Sequence, residues 1–332
     1  MLNRLSAMAL ATALVALPAQ ATETPILAAA TRPQGPLMEV LTGCGASINA
    51  DGAGVVEIDM REGSAMANPS NFDDRVKDGV VEISWGNLTG IGGRFPLSSV
   101  VELPYLTGDA QTASVAYWRM YDEGLPDAEF HDIVPLFALI CPQSGIHPSA
   151  PLPSLDDLGG RRVIAGTQTN AAVVSALGGV PLSISLADTY EAVQRGTADG
   201  RLVPWTIFPA FRMAEITRYH VEAPIGTIIG MVFVNRAVWE GLPEPVRAVI
   251  ARHSGEARAQ STAALFDRVQ GGIRAGVVGN PAHTVTSLST DQAAAWVARL
   301  APVATEWAAN TPDGATILER KKALMSEVAA GK

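Results

Sequence analysis

The chain has 332 residues, 48% of them hydrophobic and 17% charged, with a formal net charge of -9 and a pI near 5.1. Such a composition can bury a large core and excludes a disordered protein, and the length favours two domains over one. The acidic balance and the absence of a Lys/Arg run exclude a nucleic-acid partner of the usual basic-stripe kind.

Asn3-Arg4, the apolar run Leu5 to Leu17 and the small-x-small Ala19-Gln20-Ala21 read as a signal peptide over residues 1–21, cleaved before Thr22. The expected destination is a bacterial periplasm. Beyond it, no stretch reaches the roughly 18 uninterrupted apolar residues of a membrane span. Leu41-Thr42-Gly43-Cys44 has the look of a lipoprotein box but lies too far past the apolar run to act as one. Cys44 and Cys141 fit either one disulfide or two buried thiols, and spacing alone does not choose.

In chain order, a strand at Ile26 to Ala30, a loop at Thr31 to Pro36, a helix at Leu37 to Ile48 and a strand at Val55 to Met60 make a first β-α-β unit. A helix at Phe72 to Lys77, ended by Gly79, leads to a strand at Val80 to Trp85, whose end exposes Trp85-Gly86-Asn87. Gly90-Ile91-Gly92-Gly93 is not a dinucleotide loop: Phe95 stands where the third glycine belongs, and Pro96 follows instead of a helix. No cofactor is expected.

Leu158 to Trp205 reads as a complete β-α-β-α-β unit. Strands are expected at Arg162 to Ala165, at Pro181 to Ser185 and from Leu202. The first helix runs from Asn170 to Leu177 and stops at Gly178-Gly179; the second starts at Ser185-Leu186-Ala187-Asp188 and stops at Gly196. Parallel strands with crossover helices gather their C-terminal ends on one edge, so a site is expected near Ile164 to Asn170, Leu186 and Val203 to Trp205. Val246 to Gly271 carries a near-continuous helical pattern, long enough to tie two lobes together. Ser289-Thr290-Asp291-Gln292 has capping-box spacing and starts a helix to about Asn310; Pro312-Asp313-Gly314 breaks it before a last helix to about Val328.

Local catalytic signatures are missing: no His-Glu-x-x-His, Cys-x-x-Cys, Walker loop or Gly-x-Ser-x-Gly elbow occurs, and the five histidines (His131, His147, His220, His253, His283) are widely separated. The expectation is a binding protein, not an enzyme, with no metal. Such a protein needs an aromatic or apolar wall and a few converging polar groups. Trp85, Asn87 and Trp205 stand at strand ends, and Thr167 begins a helix whose N–H groups suit an anion or carbonyl.

Four motifs in order carry a family resemblance. They are Arg94-Phe95-Pro96-Leu97 through Glu102-Leu103-Pro104-Tyr105-Leu106, then Ser154-Leu155-Asp156-Asp157-Leu158-Gly159-Gly160, then Tyr190 to Gly200, and finally Asn235 through Trp239 to Leu242-Pro243. Together they resemble the periplasmic solute receptors of tripartite ATP-independent periplasmic (TRAP) transporters, of the dicarboxylate-receptor (DctP-like) type. The resemblance implies an α/β fold of the periplasmic-binding-protein kind, with two lobes, a ligand cleft, crossing strands and a long interdomain helix. It places residues 22–142 and 222–250 in lobe I, and 143–221 and 251–332 in lobe II. It implies a monomer that binds a small organic solute and delivers it to the membrane permease subunits; a receptor-like sensor subunit is the alternative, and a periplasmic enzyme a more distant one. The ligand-binding candidates are Thr31, Trp85, Asn87, Ser144, Ile164, Thr167, Leu186, Val203 and Trp205.

The chain also departs from the family. Its usual carboxylate-binding arginine falls at Ile164, and its asparagine before the proline falls at Val203. Two polar anchors have become aliphatic, so the expected ligand is less polar than a C4-dicarboxylate, an aromatic or uncharged compound, unless Arg32, Arg201 or the Thr167 helix end takes up an anion's charge.

Overall fold

A computed structural model describes residues 23–30, 35–152 and 158–332. The signal peptide, Thr31, Arg32 and the Ser154 to Asp157 part of the second motif lie outside the described residues.

The first sheet is built from β1 (Thr24–Ala30), β2 (Val56–Glu62), β3 (Ile83–Asn87), β4 (Ile133–Ile140) and, from far along the chain, β10 (Ile229–Asn235), in the order β2-β1-β3-β10-β4. β1 is parallel to β2 and β3, whereas β10 is antiparallel to both its neighbours. The second sheet uses β5 (Gly145–Pro148), β6 (Arg162–Ile164), β7 (Val180–Leu182), β8 (Gly200–Val203), β9 (Tyr219–Glu222) and β11 (Thr284–Ser287), in the order β11-β9-β5-β8-β6-β7. β6 is parallel to β7 and β8, the β-α-β-α-β unit expected of Leu158 to Trp205. Strands β4 and β10 are apolar almost throughout because they are covered on both faces.

The chain passes between the sheets after β4, before β10 and, through helices, between β10 and β11; the first two passages lie side by side. The Cys141 N–H donates to the Ile228 carbonyl (3.0 Å) and the Ser144 N–H to the Gly226 carbonyl (2.9 Å). Gly226 has φ +127, and a Cβ there would stand 2.7 Å from the Glu102 carbonyl oxygen, so the close approach of the passage to the first lobe requires glycine.

Helices α1 (Pro36–Asp51), α2 (Phe72–Lys77) and α3 (Ala110–Asp122) belong with the first sheet; α4 (Gln168–Ala176), α5 (Thr189–Gln194) and α6 (Met213–Ile216) belong with the second. α7 (Arg236–Gly241) follows β10. The long helix expected over Val246 to Gly271 is instead two, α8 (Glu244–Arg252) and α9 (Gly255–Val278). Gly255 at φ +79 takes the left-handed conformation that ends a helix, and Asp51 holds the corner through Arg252 Nε (2.9 Å) and His253 Nε2 (3.2 Å). α9 packs on α3 and β4 over part of its length and on the turn after β8 further along, so it does link the two halves. Its Asp267 carboxylate accepts the Ala110 and Gln111 N–H groups at the start of α3.

Other local expectations shift by a few residues for identifiable reasons. β3 starts at Ile83 and not at Val80, because the Val80 N–H turns back to the Arg75 carbonyl after Gly79. α5 starts at Thr189: Ser185 Oγ does accept the Asp188 N–H (3.1 Å), but it closes a turn ahead of the helix. The capping box at Ser289 and Gln292 opens α10 (Thr290–Asn310), and Asp313, left-handed, precedes α11 (Gly314–Ala329), which packs on α3 and α10.

Cys44 and Cys141 are joined by no disulfide and are both buried. In the native protein neither thiol is expected to react with a thiol reagent on the timescale of mixing, and both are expected to react after denaturation. A fast native equivalent would contradict this burial. Among the described residues no helix is long and apolar enough to cross a membrane.

Candidate solute-binding cleft

The ends of β3, β6 and β8 face one another across the gap between the sheets, and the passage before β10 closes one side. A cavity of about 280 Å³ opens there. Its walls include Asn87, Gly166, Asn170, Leu186, Arg201, Val203, Ile207 and Ile228. A smaller space joins it at Asn87, Ile207 and Ile228, with Trp85 and Phe266 behind. Another continues from Gly90, Ala165 and Gly166 to Thr167 and Gln168.

Of the candidates read from the sequence, Asn87, Leu186 and Val203 meet in the central cavity, Trp85 stands behind Asn87, and Thr167 lies in the third space. Trp85 is largely buried, its ring packed so tightly on β10 that any side chain at Gly230 would overlap it. Three candidates border none of these spaces. Ser144 is buried in the crossing passage. Ile164 is wholly buried in a small apolar cluster with Val193 and Ala198, beneath the cleft. Trp205 turns inward: Pro204 ends β8 and the tight helical turn Trp205–Ile207 that follows sends Ile207 to the cleft and the indole into a cluster with Phe208 and His147. Its Nε1 donates to Glu222 Oε1 at 3.0 Å.

Arg201 is the charged group of the central cavity. It is 5% exposed, and its Nη1 donates to the Thr189 hydroxyl (2.6 Å) and the Ile184 (3.2 Å) and Ser185 (3.4 Å) carbonyls. These three acceptors fix the group's position at the cavity. On β8 it is the register partner of Ile164 on β6, and directly paired residues of adjacent strands share a face. A Cβ at Gly166 would come within 3.3 Å of Arg201 Nη2, so the missing side chain leaves the guanidinium room beside the cleft. Asn170 is 1% exposed, and its Oδ1, in the cavity wall, has no hydrogen-bond partner.

The N-terminus of α4 borders the third space and is capped from within. The Thr167 hydroxyl accepts the Asn170 N–H (3.1 Å), and the Glu102 carboxyl from the first lobe lies against Thr167 and Thr169. Burial raises the pKa of Glu102 to about 7, offset in part by the hydroxyls of Thr89, Thr167 and Thr169.

Three of the histidines that look scattered in sequence are in contact. His147 Nδ1 meets His220 Nδ1 at 3.0 Å, and His220 Nε2 meets His283 Nδ1 at 3.0 Å, because β5, β9 and β11 are neighbours. The Val203 carbonyl, 3.0 Å from His147 Nε2, can only accept, so His147 carries its proton on Nε2 and the row orders as successive donors. Burial lowers the pKa of His147 and of His220 to about 3. Among the described residues no group of His, Cys, Asp or Glu is arranged to hold a metal ion.

Residues 34–311 match the family described as bacterial extracellular solute-binding protein, family 7 (DctP). The chain belongs to this family. Among curated relatives of this family-7 protein, the outer membrane transporter protein TsaT of Comamonas testosteroni is 26% identical over 212 residues, 62% of either chain. The C4-dicarboxylate-binding periplasmic protein DctP of Rhodobacter capsulatus is 27% identical over 180 residues, 54% of this chain and 53% of that one. The chain thus spans between half and two thirds of these relatives.

Among solved structures, a TRAP solute-binding protein from an unidentified marine microbe, specific for aromatic acid ligands and holding 3-hydroxybenzoate, superposes with a TM-score of 0.86 at 24% identity. One from Rhodoferax ferrireducens with copurified benzoate gives 0.87 at 22%. Each comparison covers 92% of this chain and 99% of the other. At such identities the likeness is one of fold, and it establishes the two-lobed α/β architecture expected from the sequence.

Proposed function

We propose that this family-7 protein is the exported receptor of a TRAP transporter, which closes on a small organic acid with an apolar, aromatic body and passes it to a membrane permease. The observation that carries the ligand class is Arg201: a buried guanidinium in a cavity wall that sets Leu186, Val203, Ile207 and Ile228 beside the neutral polar groups of Asn87, Asn170 and Ser183. One carboxylate would pair with it, and a second would find no further Lys, Arg or His among the described lining residues. The position that has lost an arginine, Ile164, and the one that has it, Arg201, are neighbours across two strands, so the charge is supplied from the next strand along. This takes the aromatic side of the aromatic-or-uncharged expectation, with Arg201 as the group that meets the acid. The 3-hydroxybenzoate and benzoate held by the two solved structures support that class.

Interleaved lobes, with β5 to β9 in one sheet and β10 returned to the other, support a hinge at the paired passages. Closure would bring Asn87 of one lobe, backed by Trp85, toward Leu186 and Val203 of the other, and the permease would release ligand by favouring the open form. Removal of residues 1–21 on export and a monomeric state are part of the same reading.

Native mass spectrometry of the purified protein, followed by denaturation, is expected to release an aromatic monocarboxylate unchanged. In thermal-shift titrations benzoate and 3-hydroxybenzoate should raise the melting temperature with the logarithm of concentration, and succinate and benzamide should not. Stabilisation by succinate alone would reject the ligand class, and recovery of a chemically altered compound would favour an enzyme.

A further inference from the structure

We infer that the protein has a second ligand pocket, separate from the cleft and built for a small organic ammonium ion. On the other side of Thr89 and Gln168 from the cleft lies a cavity of about 310 Å³. Three parts of the chain wall it: residues 89–102 of the first lobe, α4 of the second, and the C-terminal end of α10. Glu102 is its acidic floor. This side chain has no exposed surface; Thr89 donates a hydrogen bond to Oε1, the Thr167 and Thr169 hydroxyls and the Ile229 N–H lie around the carboxyl, and Oε2 makes no hydrogen bond of its own. A buried carboxyl oxygen in that state is satisfied best by a donor entering from the cavity.

The rest of the lining states what the donor should be. Glu306 stands exposed at the rim, adding a second carboxylate, and no Lys, Arg or His is among the lining residues. Phe95 and Trp307 supply aromatic surface and Val303 aliphatic surface. Two acidic groups beside aromatic rings suit an ammonium head on a short apolar body, since the cation satisfies a carboxylate and is attracted by ring faces. The pocket is also held in shape: Trp307 Nε1 donates to Ser99 Oγ at 2.7 Å, fastening α10 to the first lobe. The charge selection is opposite to that of the cleft, where Arg201 stands, so one compound would not satisfy both.

The test uses the full mature protein and benzylammonium as probe, with benzyl alcohol as its neutral counterpart, by isothermal titration and ligand-observed NMR. Benzylammonium is expected to bind at least ~10-fold more tightly than the alcohol, and to bind equally well with benzoate present. Glu102→Gln should weaken it by ~10-fold or more, the usual scale for one charge-assisted contact. Ala172→Leu, which fills the cavity from α4 without touching a charge, should do the same and decides the matter if the first variant does not fold. No binding, binding no tighter than that of the alcohol, displacement by benzoate, or full affinity in a folded Ala172→Leu protein would each overturn the inference. Loss of benzoate binding alone would count against the cleft reading and leave this one standing.

Discussion

Arg201→Met is expected to weaken benzoate binding by ~100-fold or more. A guanidinium facing a carboxylate makes two charge-assisted hydrogen bonds, each worth about 1.5–3 kcal/mol, and 1.4 kcal/mol is a factor of ten in affinity. Methionine keeps much of the aliphatic stem, so the loss reads the head group. Because Nη1 also holds the Ile184 and Ser185 carbonyls and the Thr189 hydroxyl, the variant should melt lower, and titrations belong well below that temperature. Arg201→Lys, which keeps a charge but not the planar fork, is expected to fall between the two. Adding Ile164→Arg to Arg201→Met puts a guanidinium back on the adjacent strand, and part of the affinity should return. Affinity within threefold of wild type in Arg201→Met, measured by calorimetry, would remove Arg201 from the site.

The second large effect is on stability. His147 and His220 are held neutral by burial, with pKa values near 3 in the folded protein against an ordinary value of 6.5. The unfolded chain therefore takes up protons below pH 6.5 that the folded one refuses. The stability these groups allow is fully present above 6.5 and is lost progressively down to about pH 3. At 1.36 kcal/mol per pH unit and group, the pair costs on the order of 4 kcal/mol between pH 8 and pH 5.

Glu102 and Glu129 act in the opposite sense over the same range. Burial raises both to about 7, so the folded carboxyls bind protons before the unfolded ones, and stability rises as the pH falls from 7 toward 4.5. The histidine contribution is therefore masked in the wild-type profile, and the informative quantity is a difference. Urea denaturation of wild type and of His147→Gln/His220→Gln at pH 8 and pH 5 should show the variant gaining on wild type by about 4 kcal/mol at the lower pH, since the glutamates are common to both. A gap independent of pH would mean that the row of histidines accepts protons in the folded state.

How far residues alone lead is clearest in the contrast between α10 and the cleft. The Ser289/Gln292 capping box, the left-handed Asp313 before α11, the helix Phe72–Lys77 and the stop at Gly178 all stand where local spacing puts them. Each is decided by hydrogen bonds and backbone conformations within a few residues, which are written in the local sequence. The four motifs were sufficient for the family and hence for the two-lobed fold, and the edge formed by β6 and β8 followed from parallel β-α-β connections. The membership of the cavity was not decided at that level. Ile207 and Ile228 carry no local signature of a binding wall; they reach it because a tight turn follows Pro204 and because the chain recrosses before β10. The same turn takes Trp205 out of the cleft. Ile164 falls where a family pattern places a ligand contact, yet its short side chain stays in an apolar cluster while its register partner Arg201, on the same face, reaches the cavity, a pairing separated by 37 positions in sequence. His147, His220 and His283 look unrelated until β5, β9 and β11 become neighbours. Local chemistry determined which elements form and where they end; which side chains meet depended on the order of strands in two sheets, a long-range choice made by burial of the whole core.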